Sequence, residues 1–491
     1  MPRRNPTGDR RRGKGNYSNK LRWIGVQSIE HAFGLCCRFR AKSIIDAPMI
    51  EAVFAAFAVM ALLLFYLVEP ARAVAVTCFA GWLLLPIGNF PAGSATAVFP
   101  YWITGTAVPS NMLLTKMWWP PVIALAGVLL RDRERLARFR PVWVDILMAL
   151  WCGWPIAQWS FVQDPDPQPS IASLYLLAAW GAPWLLGRLY FGGFDRGRQL
   201  LIALVAGLVV IAPIAVIEGI LGPRVYGWLY EPHPFRFDGQ ERYLGFRPLA
   251  FFENGNQYGI WVTATALAAI WAWRSSAETR SSWWPAAAAA LGFVVALASQ
   301  SVGALFLLFA GLAFCWTIRS RLMRGILLAS LFLILIGGTV YLSGRVPLRG
   351  IAENTAIGHR IVELVRSSGR GSLTWRIARD QSALNLIRQH PLVGTARWDW
   401  WRGEGQRPWG LLILISGQFG LIGSLLAFSS LMVPTIYVFA HKPFWHWGRA
   451  SVALAALVLM AIGDALLNSF LFYPAILAAG ALATGEKDSK R

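Results

Sequence analysis

Between Met49 and Gly485 apolar stretches of membrane-spanning length alternate with short connections, and the Lys and Arg content of those connections is by turns dense and sparse. Crossing about 30 Å of hydrocarbon takes roughly 20 mostly apolar residues. A segment in lipid must also satisfy its own backbone polar groups, which for stretches like these means helices. The pattern predicts an all-α fold, a polytopic transmembrane helix bundle of about 12 to 14 spans. With 56% hydrophobic and only 14% charged residues, a soluble fold of this length is excluded.

The apolar stretches run over 49–68, 73–88, 113–130, 141–161, 171–187, 199–221, 256–273, 283–299, 302–318, 325–343, 410–440, 450–468 and 470–484. From Arg131 onward the charges assign sides. The segment 131–140, then Arg188, Arg196 and Arg198, then Arg274 and Arg280, then 319–324, then Lys442 and Arg449, and finally Lys487, Lys490 and Arg491 fall on one side. Positive charge is retained in the cytoplasm, so that side is predicted to be cytoplasmic. The turn 164–170, the loop 222–255 and the long loop 344–408 then face the periplasm or exterior. Residues 73–115 contain no Asp, Glu, Lys or Arg, and the Pro- and Gly-rich part at 90–112 is expected to make either a fourth pass or a re-entrant loop.

The resulting organisation is a basic, disordered cytoplasmic tail at 1–47, a bundle over 48–343 that includes the periplasmic loop 222–255, a large periplasmic loop with short helices at 344–408, C-terminal spans at 409–484 and a short cytoplasmic tail at 485–491. The first tail holds eleven Lys and Arg with little apolar content to fold, which suits the anionic inner leaflet. The predicted location is the cytoplasmic (inner) membrane, with both termini in the cytoplasm. The net charge of +21 is spread over loops and tail, so membrane topology accounts for it and no nucleic-acid partner is implied. Cys36, Cys37, Cys78, Cys152 and Cys315 avoid both large loops, so neither a disulfide framework nor a spaced metal site is expected. No nucleotide fingerprint or serine elbow is present, and no cofactor is expected.

Two loop clusters hold the candidate chemistry. Loop 222–255 places Arg224, Arg236, Arg242 and Arg247 among aromatic residues on the side where positive charge is disfavoured. A guanidinium fork fits phosphate oxygens in pairs, whereas pairing with Glu231, Asp238, Glu241 and Glu253 is the structural alternative at even weight. In the long loop, Ser372–Gln389 has helical periodicity, with Leu373, Ile377, Leu384 and Ile387 on one side, and it ends at His390-Pro391. Arg376 and Arg379 lie on this helix and are read either as anion grips or as solvated charges on an amphipathic surface. Within the spans, Asp145, Glu218 and Asp464 are functional candidates or partners for helix ends and arginines.

The segment GFRPLAFFENGNQYG (245–259), the loop sequence SGRGSLTWRIARDQSALNLIRQHPLVGT (368–395) and the span opening SGQFGLIGSLL (416–426) together resemble the O-antigen ligase and Wzy-type polymerase superfamily. The features shared are Arg370 to Trp375, the His-Pro-Leu-Val-Gly turn at 390–394 and Gly-Leu-Ile-Gly at 420–423, and the likeness is sharpest over 240–430. Many members of that family place a His-Asn or His-Ser pair before the span after the long loop, and 403–414 here has no histidine, which leaves His390 or His359 to replace it, or catalysis that leans on arginines. The resemblance implies a metal-independent glycosyltransferase that moves a glycan from a polyprenyl diphosphate carrier to a sugar hydroxyl of a glycan or lipid acceptor. Arg242, Arg247, Arg376 and Arg379 would grip the diphosphate, and His390 or Glu253 would act as base or acceptor positioner. A transporter or flippase of lipid-linked glycan, and a noncatalytic scaffold for exopolysaccharide assembly, are the rival readings. The transporter reading lacks an internal repeat.

Overall fold

Each of the apolar stretches is a helix. A computed structural model of the chain describes residues 47–89, 105–108, 114–230, 233, 241–242, 244–276, 283–318, 320–342, 350, 354–367, 380, 382–404, 408–441 and 449–483. The main helices are α1 (Ala47–Leu67), α2 (Pro70–Leu84), α3 (Trp119–Arg131), α4 (Trp143–Gln158), α5 (Pro169–Tyr190), α6 (Phe194–Leu221), α7 (Gly255–Ser276), α8 (Trp284–Ala298), α9 (Val302–Thr317), α10 (Arg321–Leu342), α11 (Leu411–His441), α12 (Arg449–Ala465) and α13 (Tyr473–Leu482). Proline stands in the first turn of α2, α3, α5, α8 and α13, where its missing N–H has no intrahelical partner to lose. Among the described residues the only sheet is one antiparallel hairpin of β1 (Glu241–Arg242) and β2 (Gly245–Phe246).

Among the described residues, four helical segments are long and apolar enough to cross a membrane: Ile50–Leu67, Pro169–Tyr190, Arg196–Leu221 and Leu411–Tyr437. The apolar parts of α2, α3, α8, α9, α12 and α13 are shorter, at 10–17 residues. The outer surface is apolar too, with Val209, Val216, Ile220, Phe306 and Trp316 all more than half exposed. A water-soluble protein does not present such a surface continuously.

The connections sort into two ends. At one, Tyr190 donates to Asp132 (2.8 Å), Arg135 donates to the Leu189 carbonyl (3.4 Å), Arg274 lies over the Trp316 ring and Trp143 packs edge-on against Tyr437. This is where the arginine-rich connections meet. At the other, the Trp398 N–H donates to the Asp166 carbonyl (2.8 Å), Gln300 donates to the Gly245 carbonyl (3.3 Å), and Asn256 bonds Asn468 (3.0 Å). The turn 164–170, the loop 222–255 and the C-terminal part of the long loop therefore share one end, the grouping that the charge pattern predicts. Single cysteines at Arg135 or Arg321 are expected to react with an impermeant maleimide from the opposite membrane face to cysteines at Gly245 or Arg397. Labelling of Arg135 and Arg397 from one face would overturn this arrangement.

Of the stretch 90–112, expected to make a fourth pass or a re-entrant loop, only residues 105–108 are described, but its flanks lie side by side. The Asn89 N–H donates to the Leu114 carbonyl (3.2 Å) and the Lys116 N–H to the Ile87 carbonyl (3.3 Å), so the chain leaves and returns at the loop end. Residues 105–108 are buried in the bundle, where the Gly105 and Ala107 carbonyls accept from Trp180 (3.1 Å) and Gln418 (2.8 Å). At the start of α1, Glu51 accepts from Asn89 (2.9 Å), while Tyr66 near its other end lies under Arg131. Thus α1 begins at the loop end, opposite to the end that the charges of the basic tail predict. No charge in 73–115 was available to orient this part of the chain, and residues 1–46 lie outside the described residues.

The acids flagged within spans have structural partners. Asp145 caps its own helix at Val142 N–H (2.8 Å), accepts from Trp184 Nε1 (2.9 Å) and pairs with buried Arg188 (2.9 Å). Asp464 accepts from Asn468 (2.6 Å). Helices α5 and α13 run together at backbone contact: a Cβ on Gly187 would lie 2.2 Å from the Leu477 carbonyl oxygen, and one on Gly480 would lie 2.3 Å from that of Trp184. Close approach through small residues is the usual packing device of helices in lipid.

Candidate functional site

Helix α11 is broken near its start. Gly420 has φ 70° and ψ −172°, a conformation open essentially to glycine alone. The break strips the Gly417, Gln418 and Phe419 carbonyls and the Leu421 and Ile422 N–H groups of helical partners, and unpaired backbone groups are costly away from water. The turn 390–396 supplies most of the replacements. Thr395 and Ala396 donate to the Gly417 (2.9 Å) and Gln418 (2.8 Å) carbonyls, while Leu421 and Ile422 donate to the Pro391 (2.9 Å) and Leu392 (3.1 Å) carbonyls. Trp154 Nε1 takes the Phe419 carbonyl (2.9 Å), and Gln158 bridges the Val393 and Gln418 carbonyls. Two sequence motifs, His390–Gly394 and Gly420–Gly423, are thereby clasped backbone to backbone. A Cβ on Gly394 (φ +73°) would lie 2.4 Å from the Gly420 nitrogen, and one on Gly420 would lie 2.2 Å from the Leu392 carbonyl oxygen.

The clasp fixes His390 at the loop end. Residues 382–387, within the predicted Ser372–Gln389 helix, are helical, with Leu384 and Ile387 buried as the periodicity requires. The His390 N–H closes this helix on the Ile387 carbonyl (3.1 Å), and its carbonyl accepts from Gly394 (2.9 Å). Its side chain is exposed and lines an open groove of about 470 Å³ with Gln389, Thr395, Arg397, Asp399, Trp400 and Arg402. Arg397 and Arg402 flank the single carboxylate of Asp399 at 3.4 and 3.9 Å, so the trio has one net positive charge. Arg402 also lies over the Trp398 and Trp401 rings, 5.1 and 5.7 Å from their centroids, which limits its motion. Trp398 is tied to Asp166 through Nε1 (2.9 Å).

Loop 222–255 is built around Glu218, at the end of α6. Glu218 is fully buried, and its oxygens accept the N–H groups of Val225 (3.1 Å), Leu249 (2.7 Å) and Ala250 (2.6 Å), so its role is to hold backbone rather than to pair with Arg224. Next on this turn, buried Arg247 donates to the Ser299 carbonyl (3.1 Å) and to Asn256 Oδ1 (3.0 Å); Asn256 continues to Asn468. Asn254 Oδ1 accepts from the Asn256 and Gln257 N–H groups and so starts α7. Glu253, in the same turn, has no solvent exposure.

The candidates named from sequence are therefore distributed. Arg247 and Glu253 share one buried turn, while His390 sits in the surface groove. Arg242 belongs to β1, with its side chain outside the described residues, and Arg376 and Arg379 lie outside them entirely. Sequence reasoning missed Arg397, Asp399 and Arg402, which lie in the long loop among Trp398, Trp400 and Trp401. It also missed Lys116, for which a signal was present: Lys116 is the sole Asp, Glu, Lys or Arg in residues 73–130. Neither a protein-family model nor a curated protein sequence matches the chain.

Proposed function

We propose that this chain is a membrane glycosyltransferase of the O-antigen ligase and Wzy-type polymerase kind, transferring a glycan from a polyprenyl diphosphate carrier to a sugar hydroxyl during surface polysaccharide assembly. On this reading it is a multi-pass protein of the cytoplasmic membrane with about 12 to 14 spans, some of them short and tilted or sheltered by neighbours. Its loop end faces the periplasm. The observation that supports it most is the broken start of α11, whose freed backbone groups seat His390 beside Arg397 and Arg402. Irregular backbone at such a place is tolerated where protein covers it or where it lines a functional cavity.

In the reaction the bond between the sugar C1 and the carrier phosphate oxygen breaks and a bond from the acceptor oxygen to C1 forms. His390 takes the hydroxyl proton, and the bonding pair leaves with the diphosphate. The arginines at the loop end stabilise that charge: Arg397 and Arg402 in the groove, Arg247 through its turn, and Arg242, Arg376 and Arg379 as further grips.

Purified protein given a synthetic polyprenyl diphosphate glycan and an acceptor is expected to form a glycosidic product. His390→Ala is expected to lower kcat by roughly 100-fold or more, as loss of a general base does, with the thermal unfolding midpoint unchanged. Product formation by His390→Ala at the wild-type rate would remove His390 from the chemistry. No turnover by intact wild-type protein across several donors would favour the scaffold reading.

A further inference from the structure

Lys116 and Glu253 face each other inside the loop end, and neither has solvent exposure. Both lie in connections rather than in membrane-spanning helices. They are satisfied very differently. Lys116 Nζ donates to the Trp82 (3.2 Å) and Phe251 (2.5 Å) carbonyls and lies 4.7 and 5.4 Å from the Phe252 and Trp82 ring centroids. An ammonium is well provided for there. Neither oxygen of Glu253 has a donor in good hydrogen-bonding geometry, and the Gln257 Nε2 group beside it makes no well-formed bond; Gln257 turns its oxygen to the Glu253 N–H (2.9 Å) and eases the burial of the carboxyl only weakly. A buried carboxylate without a donor is among the most costly arrangements a fold can contain, and such a group takes up a proton instead.

We propose that Glu253 and Lys116 form a buried proton-binding site in which Glu253 is a neutral carboxylic acid in the resting protein, with Lys116 held on carbonyls and aromatic faces opposite it. Burial raises Glu253 above the ordinary carboxylate range and lowers Lys116, so desolvation acts in the same sense on both. The groups that face Glu253 from the packed elements are Lys116 from the re-entrant connection, Tyr175 from α5 and Gln257 from α7. The nearby charges of Glu218 and Arg247 are engaged by three backbone N–H groups and by Ser299 and Asn256 respectively. The proton belongs to the turn that positions Arg247. Ionisation of Glu253 therefore works against the packing of residues 247–257 on the 87–116 connection. The inference holds whether or not the chain transfers sugars.

Infrared difference spectra of full-length protein in detergent, wild type against Glu253→Gln, test it directly. At neutral pH the wild type is expected to show the carbonyl stretch of a neutral carboxylic acid, shifted in heavy water and absent from the variant. In Lys116→Met the band is expected to persist. A band that appears only in Lys116→Met, or none lost in Glu253→Gln, would overturn the proposal in favour of an ion pair. Stability gives a second readout. A group whose value is raised on folding contributes stability that is complete below its ordinary range and is lost as pH rises through the raised value. Between about pH 5 and about pH 8 the unfolding constant of wild type relative to Glu253→Gln is expected to rise by up to tenfold per pH unit. Parallel midpoints across that range would also overturn it.

Discussion

Gly420→Ala is expected to abolish the proposed glycan transfer while leaving most of the bundle inserted. The substitution forces a side chain into a glycine-only conformation, which costs about 1–3 kcal/mol. It also places a methyl carbon 2.2 Å from the Leu392 carbonyl oxygen, so the turn 391–396 must lift away and its four backbone hydrogen bonds to α11 weaken together. His390 rides on that turn. A displacement of about 1 Å at a reacting group is enough for a loss of roughly 100-fold, and the combined local destabilisation is expected to reach about 3 kcal/mol or more. Gly394→Ala attacks the same clasp from the other strand of contacts. The double variant is expected to be scarcely worse than either single one, because both remove one shared interaction. Turnover with purified variants, alongside thermal unfolding in detergent, checks this; an active Gly420→Ala protein would mean that the clasp does not position the chemistry.

Glu218→Ala is expected to have the largest effect on stability, acting on loop 222–255 before the bundle as a whole. Three backbone N–H groups lose their acceptor at once around a fully buried side chain. At about 1–3 kcal/mol for each stranded group the loss amounts to roughly 4 kcal/mol. Gln at this position retains one oxygen, sufficient for the Leu249 and Ala250 N–H groups that share Oε2, and turns an amide toward the Val225 N–H that Oε1 now accepts. It should therefore lose only about a third of that. Limited proteolysis is the suitable measurement, with cleavage expected first within 222–252 in Glu218→Ala and later in Glu218→Gln. Equal resistance of wild type and Glu218→Ala would show that the loop is held by other means.

What could be read in the sequence was local, and what escaped it was contact between distant segments. Apolar stretches located the helices, since the main-chain requirement in lipid leaves little choice, and the arginine pattern grouped Asp166 with Trp398 at one end although 232 positions separate them. Periodicity likewise predicted that Leu384 and Ile387 would be buried. By contrast, SGQFGLIGSLL was legible as a motif but not as a break in its helix, because the partners of the freed groups are Trp154 and Gln158 far upstream and the turn at 391–396. The 90–112 stretch was left open between a pass and a loop, and it lies largely outside the described residues, although its flanks at 87–89 and 114–116 pair with each other. Charged residues in spans read as candidates for function, yet Asp145 and Glu218 serve helix ends and loop backbone. The length criterion was coarser than the hydropathy pattern, since α2, α8 and α13 are apolar but short.

The pairing of α5 with α13 has a consequence for how the protein is made. Gly187 and Gly480 bring these helices to main-chain contact, so the seat beside α5 is filled by α13, which follows the other twelve main helices in chain order. Until then the Cys78 carbonyl that accepts from the Tyr473 hydroxyl, and the neighbouring face of α5, have only lipid or other cellular components for company. Assembly of this seam must accordingly wait for the synthesis of α13, and a chain terminated before Tyr473 would leave it unfilled. Quality-control proteases that survey the bilayer would meet it there.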